Sequence, residues 1–442
     1  MPSNNPVIFN SVADRNTVYS TLEQKWSVVD KLYQGTDAMR AAGTELLPKG
    51  ENEEQSVYNE RLAESTLEPL YRQAVDLTAD MIVSEDIIVN TSNQELRDFF
   101  EDVDGAGTDL TQFSESLLKL AIQYGVSYCV IDYPKADDEG NTRPFMSAIN
   151  PRNVLGFDTV RIQGQEVLTD VRFFETVSKE DFLSTENSDT MVDLNEVQQG
   201  MFADQIRRYE LDPATNTVKF TLYRRTKRDL NWRLHETGIM AGLSRIPMVP
   251  VYGNKDSYFI GTPLYYDAAM MNAKLWRTQS IQDFALKFNR YPAYIVTGIG
   301  GSARNSPDNP NDYNQDGEKS QTPTVKIPYG PGTVMGTPNT EVNILKFDGQ
   351  AEALGLGFDD IDRTRVAIKE NAPVLLLASA PGADVTATAT AVQTAQASKG
   401  VKKLSRNYTN SLLQISAFVT AYYTVSELPT FEINSLVIGN DI

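Results

Sequence analysis

Apolar residues recur at helical spacing in the first third of the chain. In the first such stretch Leu22, Trp26, Val29 and Leu32 share one helical face. The pattern predicts three helices, and Pro69 is expected to kink the second because proline lacks the backbone N–H of a helix interior. The predicted ranges are 17–42, 56–84 and 109–124.

Residues 127–243 change to short runs in which apolar and polar residues alternate, such as Val218–Tyr223. Alternation with a period of two, interrupted by Asp-Pro, Asn-Thr and Gly-Gln breaks, is typical of strands in an antiparallel or mixed sheet. The predicted fold class is therefore α+β, with residues 1–252 forming one α+β domain.

The strongest helix signal begins at Thr262, which can act as an N-cap, and Pro263, which suits the first helical position. The predicted helix runs to about Phe288 and is apolar on nearly every side. A helix of this kind needs burial all round, and neighbouring subunits of an oligomer are a natural source of it.

A segment rich in glycine, proline, asparagine and aspartate follows at residues 289–347. Apolar runs predict strands at Ala293–Thr297, Thr324–Ile327 and Val342–Phe347, with a long loop at 300–322. The segment is expected to be a small β-rich excursion between two helices.

Helical periodicity returns at 350–371 and again at about 385–425. Residues 372–384 cannot continue either helix, because Pro373 and Pro381 interrupt them. The second half of the chain is therefore predicted to run helix, β-rich excursion, helix, loop and long helix.

The chain carries 59 acidic against 40 basic residues, a net charge of −19 at pH 7. This charge repels the phosphate backbone, so a protein that coats DNA or RNA is disfavoured. It is compatible with a channel through which DNA slides without sticking. The same charge makes neighbouring subunits repel, so an oligomer needs salt or local complementary pairs.

The single cysteine, Cys129, excludes an internal disulfide and lies in an apolar run, where a buried structural thiol is expected. A reducing cytoplasm fits this usage. No secretion signal is expected, since the first residues have neither a basic nor an apolar region. The longest apolar candidate, near 374–380, is too short to span a bilayer.

Six short motifs follow one another along the chain. They are Tyr33-Gln-Gly-Thr-Asp-Ala-Met-Arg40, Glu45-Leu-Leu-Pro-Lys49, Tyr58-Asn-Glu-Arg-Leu62, Gly125-Val-Ser-Tyr-Cys-Val-Ile-Asp-Tyr-Pro134, Ile246-Pro-Met-Val-Pro-Val-Tyr252 and Gly261-Thr-Pro-Leu264. In this order they resemble the portal proteins of tailed bacteriophages. The resemblance covers roughly residues 30–425 and is carried by the ordered set.

The resemblance implies a portal-like layout for the whole chain. Its parts would be a wing at 1–252, a first stem helix at 253–288, a clip at 289–347, a second stem helix at 348–371, a tunnel loop at 372–384, a long helix linking wing and crown at 385–425, and a short crown or tail segment at 426–442. The last segment is too short for the helical crown barrel of larger relatives.

Two sets of site residues follow from this layout, while no catalytic, cofactor-binding or metal site is expected. The tunnel loop would present Val374, Leu375, Leu376, Leu377, Ala378, Ser379, Ala380, Pro381, Gly382 and Ala383. The second set, which we call the basic stripe, is Lys399, Lys402, Lys403 and Arg406, spaced to share one face of the long helix. It indicates either a neighbouring subunit's acidic face, which is favoured, or transient contact with DNA phosphates.

The resemblance also implies partners and a location. The chain would form a homo-oligomeric ring of about twelve subunits around double-stranded DNA. Other implied partners are the terminase large subunit, a major capsid or scaffolding protein and a head–tail adaptor, with no membrane and no cofactor. The ring would sit at the unique capsid vertex of a virion, would be made in the host cytoplasm and would not be an enzyme.

Two loop motifs suggest ligands but lack a required part. Gly298–Ala303 matches a dinucleotide-binding glycine pattern, yet loop residues follow it where a helix must open. Asp312–Gly317 begins like a calcium-binding EF-hand loop, yet the twelfth position is Pro323. Solvated turns are the favoured interpretation of both.

The remaining candidates for chemistry are a lone histidine and an acidic run. His235 lies in an alternating segment, so a strand position is favoured over catalysis or metal binding. Asp359, Asp360 and Asp362 are interleaved with arginines, which favours ion pairs on a solvated helix face over a metal site. No phosphate-loop motif of an ATPase is present in the sequence.

Two alternatives remain open from the sequence. One is another phage head–tail adaptor or structural ring, in which deleting 374–383 would leave DNA packaging intact. The other is a soluble enzyme with a nucleotide site at Gly298–Ala303, for which micromolar binding of NAD or ATP would be diagnostic.

Overall fold

The computed structural model describes residues 11–133, 142–177, 203–225, 231–240, 242–290, 293–297, 334–337, 344–347, 351–378 and 387–434. Its helices are α1 (Thr17–Gln34), α2 (Thr36–Ala41), α3 (Gln55–Glu64), α4 (Leu70–Ile82), α5 (Gln94–Glu101), α6 (Leu110–Tyr124), α7 (Tyr266–Arg290), α8 (Ala351–Asn371), α9 (Val374–Ala378) and α10 (Ala387–Tyr422). Its strands are β1 (Ile88–Asn90), β2 (Val126–Asp132), β3 (Phe145–Ile149), β4 (Val154–Ile162), β5 (Gln165–Val177), β6 (Ala203–Asp212), β7 (Thr217–Arg225), β8 (Arg233–Met240), β9 (Met248–Tyr252), β10 (Lys255–Ser257), β11 (Ile260–Gly261), β12 (Ala293–Thr297), β13 (Val334–Thr337), β14 (Ile344–Phe347) and β15 (Thr430–Glu432).

The mixture of helices and strands confirms the α+β class. The chain forms two compact units. The first unit comprises residues 1–33, 71–266 and 372–442, and the second comprises 34–70 and 267–371. Residues 34–70, which the sequence pattern assigns to the 1–252 segment, thus cluster with the helices that follow residue 266.

The core of the first unit is built around strand β2, which is buried along nearly its whole length. β2 is the central strand of an antiparallel sheet in the order β3-β2-β9. Helices α6 and α10 pack on this sheet. Helix α6 starts where predicted, because the Asp109 carboxylate accepts a hydrogen bond from the Gln112 backbone N–H.

Large aromatic side chains of α1 fill the space beside this sheet. The Trp26 indole donates to the carbonyl of Tyr124 at 3.0 Å, and the Tyr19 and Tyr128 hydroxyls lie 2.7 Å apart. The Tyr128 hydroxyl also donates to the Phe259 carbonyl at 2.8 Å. Each buried polar tip therefore has a partner, as burial requires.

The second sheet of the first unit is an antiparallel meander in the order β4-β5-β6-β7-β8. It accounts for the alternating pattern at 154–240, and consecutive strands pair with one another as expected for short connections. The prediction of an antiparallel or mixed sheet in this part of the chain is confirmed. Farther along, β15 pairs antiparallel with β1.

The helix with the strongest sequence signal begins later than predicted, because the backbone of Thr262 packs closely against Gly125. The helix begins at Tyr266, not at Thr262. Thr262 instead accepts a hydrogen bond from the Asn254 side chain at 3.1 Å, and the Leu264 N–H donates to the Ile122 carbonyl at 3.1 Å. Residues 262–264 are therefore held against the end of α6, and the capping role predicted for Thr262 is wrong.

Two other helix predictions are wrong in their continuity. The predicted 17–42 helix is interrupted at Gly35, whose φ of 98° is outside the right-handed helical region. The predicted 56–84 helix is two helices, α3 and α4, rather than one with a kink. Ser65 ends α3 in an extended conformation, and Pro69 disfavours helical geometry at the residue before it.

The second unit contains helices α7 and α8 and the small sheet between them in sequence. That sheet has the order β13-β12-β14, with β12 parallel to β13 and antiparallel to β14. The predicted strand at 293–297 and the predicted helix at 350–371 are confirmed. The predicted strand at 324–327 lies outside the described residues. Helix α5 was not predicted.

No helix among the described residues has the length and apolar character needed to cross a bilayer.

Candidate functional site

The segment predicted to line a tunnel begins as a short helix. Val374–Ala378 forms α9, in which the Leu375 N–H donates to the Ala372 carbonyl at 3.0 Å. Val374 and Leu375 are buried and belong to the core of the first unit, where α9 packs against α10. Leu376 is half-buried, and Ser379, Ala380, Pro381, Gly382 and Ala383 lie outside the described residues. The tunnel role of the segment stays a prediction.

Helix α10 is anchored to the first unit by one apolar face. Its buried side chains recur at helical spacing, and Leu412, Ile415 and Val419 are almost completely inaccessible to solvent. The Tyr408 hydroxyl is hydrogen-bonded to Ser114 of α6, and the Ser411 hydroxyl donates to the Pro250 carbonyl at 3.2 Å. One face of α10 is therefore held in the core of the first unit, and its opposite face is exposed.

The basic stripe lies on the exposed part of α10. Lys399, Lys402, Lys403 and Arg406 are all exposed, as their spacing predicts. Within the described part of the chain none of the four forms an ion pair. Four cations on one helix face repel each other by a few tenths of a kcal/mol per pair, so an anionic partner would stabilise them. The structure brings these residues together and leaves the identity of that partner open.

Helices α7 and α8 of the second unit form an antiparallel pair joined by polar contacts. The Lys274 ammonium lies 3.0 Å from the Asp360 carboxylate and donates to the Thr364 hydroxyl at 3.2 Å. Nearer the other end, the Gln282 amide donates to the Leu354 carbonyl at 2.9 Å. Gly357 permits this approach, because a Cβ there would lie 2.0 Å from the Gln282 side-chain oxygen.

Residue Glu68 ties both helices to the 34–70 segment. Its carboxylate accepts hydrogen bonds from Arg365 of α8 and from the Gln279 amide of α7, each at 2.9 Å. Its carbonyl accepts from the Asn272 side chain at 3.0 Å. Arg365 forms charge-assisted hydrogen bonds with two carboxylates, those of Glu68 and Asp362. Hydrogen bonds of this kind are stronger than those between neutral groups.

A buried arginine completes the second unit. Arg61 makes a two-pronged ion pair with Glu53, with contacts of 2.8 and 2.9 Å, and also donates to the Pro48 carbonyl at 3.1 Å and to Ser280 of α7 at 3.3 Å. Neither Arg61 nor Glu68 was predicted as a key residue. A charged residue in a polar stretch usually lies in solvent, so the sequence carries no signal for this role.

Two residues of the acidic run on α8 form the predicted ion pairs. Asp360 pairs with Lys274, and Asp362 pairs with Arg365 at 2.9 Å. Among the described residues no group of three or more histidine, cysteine and carboxylate side chains is placed to hold a metal ion. The two contacts confirm the ion-pair interpretation for Asp360 and Asp362.

The two lone residues with catalytic potential occupy ordinary strand positions. His235 is half-exposed within β8, and Cys129 is fully buried within β2. Burial raises the pKa of the Cys129 thiol well above its usual range, which disfavours the nucleophilic thiolate. The loop motifs at Gly298–Ala303 and Asp312–Gly317 lie outside the described residues.

No protein-family model and no curated protein matches the chain. Solved structures similar to it include three for which each alignment covers 83% of this chain and 80% of the other. They are "Neck of empty GTA particle computed with C6 symmetry", with 11% identity and a TM-score of 0.43, "Virion of native gene transfer agent (GTA) particle", with 11% and 0.40, and "Neck of native GTA particle computed with C12 symmetry", with 12% and 0.40. All three are structures of gene transfer agent particles, and two are of the particle neck.

Proposed function

We propose that this chain is a portal protein, one subunit of a ring at a capsid vertex through which double-stranded DNA is packaged and ejected. The observation that carries the proposal is the order of helices and strands in the second unit. Two antiparallel helices, α7 and α8, flank a small three-stranded sheet, and the long helix α10 follows along the chain. This order matches the stem, clip, stem and long helix that the motif resemblance implies.

The charge of the chain supports a channel over a DNA-coating protein. Because each chain has a net charge of −19, the wall of a ring would repel the phosphate backbone and let the duplex slide. The basic stripe on α10 is the exception, and four cations per subunit would give transient phosphate contacts or bind a neighbouring acidic face. The role of the chain is mechanical and steric, and catalysis is assigned to other proteins.

The same proposal names the partners of the ring. The β12–β14 sheet and the residues around it would form the clip, which docks the terminase large subunit during packaging and a head–tail adaptor afterwards. A capsid or scaffolding protein would surround the first unit. About twelve copies would close the ring, since a head-to-tail interface generates a closed ring when its rotation divides a full turn.

Electron microscopy of the purified chain tests this proposal directly. End-on class averages should contain rings with a central hole and about twelvefold symmetry, because each copy offers two different faces to its neighbours. Native mass spectrometry of the same sample should give the matching mass. Uniform monomers across a range of salt and protein concentrations would contradict the proposal.

The tunnel role is best tested on residues 379–383, because Val374 and Leu375 are part of the core. Replacing Ser379–Ala383 with a Gly-Ser linker of equal length should leave ring assembly intact and impair DNA packaging or retention. Both should be measured, by electron microscopy and by nuclease-protected DNA in assembled particles. Rings that package and retain DNA normally would favour the alternative of a structural ring without a tunnel role.

A further inference from the structure

Large exposed apolar side chains lie on helices α7 and α8 of the second unit. Where the structure describes side-chain burial in this unit, at 34–70, 267–287, 289–290 and 352–371, all such side chains are on these two helices. These side chains are Met270, Met271, Ile281, Leu356, Phe358 and Val366. Single exposed apolar residues are common on soluble proteins, but a group of six on one helical pair is typical of a surface that binds another molecule.

Residues of α7 and of α8 that recur at intervals of three and four define one stripe on each helix. Met270, Lys274, Arg277 and Ile281 recur at intervals of four and three and form one stripe of α7, which we call the α7 stripe. The α8 stripe is formed in the same way by Glu352, Leu356, Asp359, Arg363, Val366 and Glu370. Each stripe thus combines two exposed apolar residues with charged residues between or beside them.

The α8 stripe is turned away from α7. Gly357 and Thr364 of α8 meet Gln282 and Lys274 of α7. Asp359 lies about 140–160° around the helix from both of these positions, at about 100° per residue. Leu356 lies on the flank, about 80–100° from the same positions, and is 66% exposed, so a second molecule can reach the stripe.

The stripes carry opposite charge. The α7 stripe has two cations, Lys274 and Arg277, and no carboxylate. The α8 stripe has three carboxylates and one arginine. Lys274 is already paired with Asp360 of its own chain, so Arg277 is the main cation available to a neighbour. Opposite charges beside apolar residues are the arrangement that an interface core with a polar rim requires.

The stripes also match in height along the helical pair. The Lys274–Asp360 and Gln282–Leu354 contacts set the antiparallel register of α7 and α8. In this register Ile281 is about level with Leu356, Arg277 with Asp359, and Met270 with Val366. A rotation about an axis parallel to the two helices preserves height, so it would bring each residue of one stripe to its counterpart on the next copy.

We infer that the α7 stripe of one subunit packs against the α8 stripe of a second copy of this chain, which gives a head-to-tail contact with polarity around the ring. The inference rests on the proposed function for the ring itself and specifies which faces build it. Ile281 meets Leu356, Met270 meets Val366, and Arg277 pairs with Asp359 across the contact. The two faces are different surfaces, so the contact can repeat from copy to copy and close.

Single substitutions in either stripe test this contact. Ile281→Asp and Leu356→Asp should each lower the affinity between subunits at least about tenfold, because a carboxylate replaces an apolar side chain at the buried centre. Leu234→Asp is the matched control, since Leu234 is 61% exposed on β8 and Ile281 is 62% exposed. The control should assemble like the unaltered chain. Ring fraction is measured by sedimentation velocity, and circular dichroism checks that each monomer is folded.

Mixing the two variants tests the polarity of the contact. The Ile281→Asp chain keeps its α8 stripe and the Leu356→Asp chain keeps its α7 stripe, so an equimolar mixture should form dimers that stop at two copies. Each variant alone should contain fewer dimers and rings than the mixture at the same total concentration. A mixture that associates no more strongly than either variant alone would overturn the head-to-tail assignment.

Charge reversal tests the proposed pair. Arg277→Glu and Asp359→Arg should each weaken assembly, and a chain with both changes should recover it, because the pair is restored with its sign inverted. If the unaltered chain forms rings and all stripe variants form them equally well, the inference fails and the proposed function stands. If the unaltered chain forms no rings, the proposed function itself fails.

Discussion

Replacing Gly125 with alanine should destabilise the first unit by about 2–5 kcal/mol. Gly125 has a φ of 91°, a left-handed conformation that costs an L-residue about 1–2 kcal/mol. A Cβ there would lie 2.1 Å from the backbone oxygen of Thr262, which cannot swing away as a side chain would. Overpacking of this kind adds about 1–3 kcal/mol or more. Thermal and denaturant unfolding of the purified variant would measure the loss.

Gly164 provides the matched control for this substitution. Its φ of 83° is similar, and no heavy atom lies within 4 Å of the position where its Cβ would be. Gly164→Ala should therefore cost only the backbone term of about 1–2 kcal/mol. Equal losses for the two variants would contradict the view that the approach of residue 262 is what requires glycine at position 125.

Removing the guanidinium of Arg61 is expected to destabilise the second unit by about 3–5 kcal/mol, the usual cost of leaving a buried charge without its partner. Arg61→Met would leave the Glu53 carboxylate unpaired and would remove the donor to the Pro48 carbonyl. Changing both partners, as Arg61→Met with Glu53→Gln, should cost less than the sum of the two single changes. A double-mutant cycle measured by denaturant unfolding gives this coupling.

Arg72 is the control for a charge of the same type at the surface. Its pair with Asp76 is longer, at 3.5 Å, and about half of the Arg72 side chain is exposed. Arg72→Met should cost less than about 1 kcal/mol. A similar loss for Arg61→Met would show that burial adds nothing to the Arg61 pair.

The same pair predicts a dependence of stability on pH. Hydrogen bonds from Arg61 lower the pKa of Glu53 below its ordinary value. The folded pKa is thus below the unfolded value of about 4.3, so the stabilisation is fully present above that pH and is lost as the pH falls through the folded pKa. The stability difference between the unaltered chain and Glu53→Gln should therefore shrink below about pH 4. A difference that stays constant down to pH 3 would contradict this origin.

Several features follow from the sequence alone because they depend on neighbours within a few residues. The Asp109 carboxylate lies three residues before the N–H it caps, so the start of α6 is encoded locally. The periodicity of 350–371 and the alternation at 217–225 likewise report which side of a helix or strand is apolar. The break at Pro373 and the spacing of the basic stripe are of the same kind.

Only the tertiary structure decides what depends on residues far apart in the chain. The pairing of β2 with β9 joins segments more than a hundred residues apart. Hydrogen bonds from Asn254 to Thr262 and from Leu264 to Ile122 keep residues 262–264 out of the helix, so α7 starts at Tyr266. The burial of Arg61 and the three-way role of Glu68 are invisible in sequence, because a charged side chain gives the same local pattern in solvent and in an ion pair. The outward stripes of α7 and α8 also emerge only when the register between the two helices is known. The local sequence pattern determines which face of each helix or strand is apolar. Long-range packing determines which other element that face contacts, because it depends on every element of the chain together.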